Sequence, residues 1–379
     1  MRPLQGKGND VKKSSLISTG ALLAASALVL AGCSSDSGSD DGSSGGSSAG
    51  SSDDGAMMAE GGRACIILPD AASSPRWENG DRPALDEAIT AAGFEADIQN
   101  AQGDTAKYST IADQMLTQGC GVMILVDYNG AAVTITENAQ AQGIPVIAYD
   151  RPIAGADYYV SFDNFQVGEL EGQSVVDGLE ANGVDPAEAV VVYIGGDPAD
   201  GNAAMFHDGA VSVMEAAGIE PAAEPAGKWD GEYSATQFEQ ALTDLGGKVD
   251  AVWAANDTNA AGVITVLDKN GLTVPVSGQD ASVAGLQNVL LGKQAATVYK
   301  PYQLEAATAA ELAVALLGGE APEAPTSLDD GTPFFAETPI LVGPEDVQQV
   351  IDDGNASYDE ICTGDVLAAC DEVGLQPAS

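Results

Sequence analysis

Gly121-Val-Met-Ile-Leu-Val-Asp127 and Ile144-Pro-Val-Ile-Ala-Tyr-Asp150 are two apolar runs, each ending in an acid, with a stretch of helical period between them. The same phrase returns as Asp250-Ala-Val-Trp-Ala-Ala-Asn-Asp257, a helical stretch, and Val274-Pro-Val-Ser-Gly-Gln-Asp280. Asp127 to Pro145 is 18 positions, Asp257 to Pro275 is 18, and each Pro is followed five positions later by the Asp. A strand apolar on both faces is buried on both, as in parallel sheets covered by helices. The matched spacing therefore supports two α/β domains of one design.

Working outward, the pattern continues in both directions. Apolar runs at Ala64–Leu68, Ala96–Ile98, Tyr158–Phe162, Ala189–Ile194 and Ala296–Tyr299 alternate with amphipathic stretches. Helices are predicted over Ala84–Ala92, Thr105–Gln118, Ala131–Gln142, Asn164–Asn182, Ala203–Ala217, Ala235–Leu245, Thr258–Asn270, Ser282–Leu291 and Tyr302–Leu317. Strand alternating with helix predicts an α/β chain of two doubly wound parallel-sheet domains. In such sheets ligands bind beyond the carboxyl ends of the strands. The polar residues gather there, at Asp70 to Trp77, Asp127 to Asn129, Asp150-Arg151, Asp197 to Asn202, Asn256-Asp257, Asp280 and Lys300. Two domains facing each other line one cleft with these groups.

The fragments at these strand ends carry a resemblance. Pro75-Arg76-Trp77, Val146 to Arg151, Ser161-Phe-Asp-Asn164, Gly195-Gly-Asp-Pro198 through Asp200 and Asn202, Val276 to Ala281, and Val298-Tyr-Lys-Pro301 stand in one order. Together they resemble the type I periplasmic sugar-binding proteins, nearest the xylose-binding and multi-sugar-binding branch. The resemblance spans about residues 64–355. It implies a three-crossing hinge, expected near Asp163, Gln279 and Pro301. The expected N-terminal domain takes 62–162 and 280–300, and the C-terminal domain takes 163–279 and 301–379.

The chemistry of a sugar explains the residue types. Its hydroxyls both donate and accept, and suit Asp, Asn and the planar fork of Arg. Its C–H faces pack on aromatic rings. The expected ligand-binding residues are Arg76 and Arg151 as donors, Asn202, Asn256 and Asp280 as hydroxyl partners, Lys300 closing the polar ring, and Trp77 and Trp229 over the faces. Asp150 is expected either to touch ligand, or to cap a turn or orient Arg151. Trp253, within an apolar run, is read as core, and His207 as structural. Relatives carry Asn-Asn where this chain has Gly201-Asn202, which bears on the accepted sugars. D-xylose stands first, with glucose, galactose or arabinose next.

The first sixty residues set the compartment. Arg2, Lys7, Lys12 and Lys13 precede the apolar Leu16–Leu30, and Leu30-Ala-Gly-Cys33 follows. This is a secretory signal (residues 1–32), and its end resembles the lipobox that places lipid on Cys33. Residues 33–61, rich in Ser, Gly and Asp, read as a flexible tether. The expectation is an extracytoplasmic protein anchored to the cell membrane, a monomer serving an ABC permease as its partner. A receptor reporting to a sensor or chemoreceptor is the alternative.

Charge excludes other classes. Residues 1–32 hold four of the 14 basic residues and one of the 57 acidic ones, so the remainder carries 10 against 56. Such a surface repels nucleic-acid phosphates. Cys65 and Cys120 each stand just before or at the start of an apolar run, at the N-terminal ends of expected parallel strands. Cys362 and Cys370 are close along the chain. The predicted pairs are Cys65–Cys120 and Cys362–Cys370, the alternative being four free buried thiols. With a single histidine, no metal site and no cofactor are expected. The one Gly-x-Ser-x-Gly match, Gly46 to Gly50, lies in the tether, where no nucleophile elbow forms. Arg151 and Lys300 keep Asp150 and Asp280 ionised, which disfavours a general acid. No enzyme activity is expected.

Overall fold

A computed structural model describes residues 62–71, 74 and 76–378. The signal, the tether and Cys33 lie outside them. The described residues begin with β1 (Arg63–Leu68), a π-helical turn at Trp77–Asp81, α1 (Arg82–Ala91), β2 (Glu95–Asn100), α2 (Thr105–Gln118), β3 (Val122–Leu125), α3 (Ala131–Gln140), β4 (Val146–Tyr149) and β5 (Tyr158–Phe162). These five strands pair in parallel. Their period-2 alternation splits the core cleanly. Cys65, Ile67, Met123 and Leu125 pack on one face of the sheet, and Ala64, Ile66, Leu68, Val122 and Ile124 on the other. Each fully buried Ile or Leu contributes about 1.5–3 kcal/mol relative to exposure.

The second lobe runs α4 (Asn164–Ala181), β6 (Val191–Ile194), α5 (Gly201–Ala216), β7 (Pro221–Ala223), α6 (Gly231–Asp244), β8 (Ala251–Ala254), α7 (Asp257–Asn270), α8 (Val283–Leu290) and β9 (Thr297–Tyr299). Strands β7, β6 and β8 form a parallel sheet. The run at 274–277 adds only a single bridge, Val276 to Val252. Tyr193 and Trp253 pack on one face, Val192, Ile194 and Val252 on the other. Trp253 is core, fully buried, with its indole N–H donating to Glu171 Oε2 at 2.8 Å.

The tail then weaves between the lobes. It comprises α9 (Tyr302–Leu317), β10 (Thr326–Ser327), β11 (Pro333–Glu337), β12 (Ile340–Val342), α10 (Val347–Asp352), α11 (Tyr358–Ile361) and α12 (Leu367–Val373). This corrects the expected boundaries. Residues 280–300 belong to the second lobe, because β9 pairs antiparallel with β12 and Gln279 bridges Val298. Residues 301–337 belong to the first lobe. Ala306, Ala309, Ala310 and Ala313 of α9 pack with Ile66 and Ile124, and β11 pairs with β5. The crossings therefore follow β5 at Asp163, β9 at Lys300–Pro301, and β11 at Glu337–Ile340. Gln279 is not one of them. An apolar run announces a strand, but it does not say which sheet that strand joins.

Cys65 is bonded to Cys120 and Cys362 to Cys370. Cys65 lies on β1 beside β3, whose preceding turn carries Cys120. Among the described residues no helix is long and apolar enough to cross a membrane, and no His, Cys, Asp and Glu cluster is arranged to hold a metal.

Candidate functional site

The strand ends of the two lobes meet at a polar pocket. From the first lobe come Arg76 and Trp77, at the start of the π turn, and Asp150 and Arg151, just past β4. From the second come Asn202 on α5, Trp229 before α6, Asn256 after β8 and Asp280. Lys300 reaches in from the hinge crossing. All nine side chains singled out from the sequence thus line one pocket. Ser74, Asp200, Phe206 and Gln279 line it too. The free space left between them is about 40 Å³, room for a few waters. Outward past Arg151, Asp200 and Trp229 it opens into a cleft of about 760 Å³.

Local backbone geometry builds this cluster. Asp200, Asn256 and Ser282 cap α5, α7 and α8 by accepting from the N–H groups of Asn202, Asn259 and Gly285. Each such cap stabilises by about 1 kcal/mol. The non-glycine residues with positive φ among those described are Gln102, Asn129, Asp150, Lys228, Trp229, Asp280 and Ala281. The first six line the pocket or its mouth. Each costs roughly 1–3 kcal/mol, and such strain gathers where a site must hold side chains at fixed angles.

Charges pair across the pocket. Arg76 donates to Asp81 through Nε and Nη2, both at 2.8 Å, to Asp150 Oδ1 at 3.1 Å and to Glu305 Oε2 at 2.5 Å. Asp150 therefore orients Arg76, not Arg151. Arg151 donates through Nη1 to the Asp127 carbonyl at 3.0 Å, while its Nε lies 3.0 Å from Asp200 Oδ2 on the opposite lobe. That last contact is an ion pair by distance, since the Nε–H is not aimed at the oxygen. Lys300 Nζ lies 3.1 Å from Asp280 Oδ1. Burial works against all three cations, but the carboxylates outweigh it. Asp81, Glu305 and Asp150 hold Arg76 well above its ordinary pKa, Asp200 and Asp150 raise Arg151, and Asp280 and Asp150 raise Lys300. Burial raises Asp200 despite Arg151. The cations stay charged and act only as donors.

The aromatic residues take different positions. Trp77 lies beneath both arginines, with guanidinium carbons 4.6 Å and 5.8 Å from its ring centroid. Trp229 is half-buried, edge-on to Phe206 at 6.2 Å, and donates to Asp200 Oδ2 at 3.2 Å. A Cβ on Gly196 would lie 2.2 Å from the Trp229 ring, so only glycine seats the indole. Lys300 Nζ stands 5.4 Å from the Phe206 ring centroid.

Asn202 does more than the sequence suggested. Its Nδ2 donates to the Asp150 carbonyl at 2.8 Å, and its Oδ1 accepts from Tyr159 and Asn164, both at 3.1 Å. Its amide thus ties α5 of the second lobe to β4 and β5 of the first. Sequence reasoning missed Phe206, Gln279, Asp81 and Glu305. Phe206 is one helical turn beyond Asn202, and Gln279 adjoins Asp280, so both carried a positional signal. Asp81 and Glu305 carried only that of isolated acids near apolar residues. His207 sits outside the pocket, contacting Asp208 at 3.2 Å and Glu224 at 2.7 Å.

The comparisons with known proteins agree with this architecture. Residues 65–321 match the periplasmic binding protein domain. The D-xylose-binding periplasmic protein of Escherichia coli is 36% identical over 293 residues, covering 74% of this chain and 86% of that protein. A multiple sugar-binding periplasmic protein of Azospirillum brasilense is 32% identical over 278 residues, 67% of this chain and 77% of its own length. An ABC transporter solute binding protein from Clostridium phytofermentans, solved with bound β-D-glucose, superposes with a TM-score of 0.70 at 26% identity, covering 79% of this chain and 99% of that one. The chain belongs to the type I periplasmic sugar-binding protein family.

Proposed function

We propose that this chain is the substrate-binding lipoprotein of an ABC sugar importer and that it takes a monosaccharide, D-xylose first, between its lobes. The observation that carries the reading is the convergence of Arg76, Asp150 and Arg151 from one lobe with Asn202, Asn256 and Asp280 from the other, around Lys300. The similarity to a D-xylose-binding protein supports the order of candidate sugars.

In this reading the sugar replaces contacts that the side chains now make with one another. Hydroxyls take the free lone pairs of Asp150 and Asp280 and the N–H groups of Arg151 and Lys300, while Trp229 covers a C–H face. Ligand favours the closed form only by binding it better than the open one, and contacts from both lobes supply that difference. Lipid on Cys33 and the tether keep the protein beside its permease.

Calorimetric titration of the protein from Cys33 onward with a panel of pentoses and hexoses tests this. Saturable one-to-one binding of D-xylose, tighter than of glucose, galactose or arabinose and with no product formed, is expected. No heat with any monosaccharide sinks the cargo assignment.

A further inference from the structure

Glu305 lies in the first turn of α9, just after the chain crosses the hinge. Its carboxyl is fully buried. Oε2 accepts from Arg76 Nη2, while Oε1 has no hydrogen-bond partner among the described residues. The charged and titratable groups that act on it are Arg76 and Asp81 at the π turn, Tyr149 on β4, Asp150 beyond it and Tyr159 on β5, while Tyr302 on α9 itself faces Asp81 and Arg76.

The charge balance of this cluster is uneven. One guanidinium faces three carboxylates, those of Asp81, Asp150 and Glu305. Asp81 accepts two bonds from Arg76 and a third from the Tyr149 hydroxyl at 2.5 Å. Asp150 also faces Lys300. Glu305 has one donor and an orphaned oxygen. A buried carboxylate with so little support is one that a proton stabilises. Burial, with Asp150 and Asp81 nearby and against the opposing pull of Arg76, pushes it up to about 8.

We infer that Glu305 positions Arg76 while holding a proton, and that sugar binding is linked to that proton. The linkage rests on the binding reading above. The protonated form keeps the pocket's charge low and still accepts from Arg76 through Oε2. Closing over a neutral sugar removes water from Arg76 and Asp150, the members of the cluster that line the pocket, and this favours the neutral acid beside them further. The bound form then holds the proton more tightly than the free form. Affinity is therefore full below about pH 8 and falls as pH rises beyond it, by at most about tenfold per pH unit for one proton.

Two measurements on the protein from Cys33 onward test this. The first is the D-xylose dissociation constant from pH 6 to pH 10 for wild type and Glu305→Gln. Wild type is expected to weaken above about pH 8 and the Gln variant to show a flat profile. Identical profiles overturn the linkage. The second needs no sugar. The infrared difference spectrum of wild type minus Glu305→Gln at pH 7 is expected to show a protonated carboxyl band that vanishes as pH rises past about 8. Its absence at pH 7 overturns the proton assignment. A band without D-xylose binding keeps the proton on Glu305 and overturns the cargo reading instead.

Discussion

The two walls of the pocket are built by different physics. On the first lobe, charge holds charge: Arg76 is fixed by Asp81, Asp150 and Glu305, all nearly or wholly buried. On the second lobe, backbone holds the side chains: Asp200, Asn256 and Ser282 are helix caps, and Asn202 sits in the first turn of α5. The first wall is a coupled network in which removing one member strands the others. The second is a set of local devices, each worth about 1 kcal/mol. A substitution of the same size is therefore expected to cost more on the first wall than on the second.

Arg76→Ala gives the largest effect. It leaves the buried Asp81 and Asp150 without their cation and Glu305 without its donor, and breaking one side of a buried charge pair typically costs about 3–5 kcal/mol. Urea unfolding at pH 7 should show that loss. A loss below about 1 kcal/mol would mean that water already supports those acids.

The disulfides extend the comparison, since each lobe holds one. Cys65–Cys120 closes 55 residues and Cys362–Cys370 closes 8. The entropy of the closed loop gives about 4 kcal/mol for the first and about 2.5 kcal/mol for the second. Cys65→Ala with Cys120→Ala should lower the unfolding midpoint more than Cys362→Ala with Cys370→Ala. Equal shifts would show that packing around the sulfurs, not loop length, sets their worth.

The same division explains what could be read before the structure. Strands such as Val122–Leu125 and helices such as Thr105–Gln118 follow from local patterning and fall where the pattern places them, whereas the run at 274–277 makes only a single bridge. Residues at strand tips, such as Arg151 and Asp280, were legible because topology sends tips to the cleft. Asp81 and Glu305 were not legible, because their role depends on α9 returning to the first lobe. That return is set by pairing at long sequence range. The β9–β12 and β11–β5 pairings decide it, and short strands such as Thr297–Tyr299 carry no mark of their partner.

Between the walls, Gly201 tests how closely they must approach. A Cβ there would lie 2.7 Å from Cγ of Pro152, on the opposite lobe. The proline ring is stiff, so the strain falls on the arrangement in which the two loops meet. Gly201→Ala should weaken binding of the proposed sugar by about tenfold, which corresponds to about 1.4 kcal/mol. Tryptophan fluorescence titration reads this directly. Wild-type affinity would mean that the two loops part without opening the pocket.

The smallest effect belongs to Asn256, and it separates scaffold from site. Its Oδ1 caps α7 through the Asn259 N–H at 2.9 Å, while its Nδ2 reaches Asp280 Oδ2 at 3.4 Å. Asn256→Ala loses both and should cost about 1 kcal/mol of stability as well as sugar affinity. Asn256→Ser keeps a cap oxygen but is too short to reach Asp280. It should recover the stability measured by urea unfolding and leave the affinity impaired. If serine restores both, Asn256 acts on the sugar only through the helix it caps, and the second wall is held by backbone geometry alone.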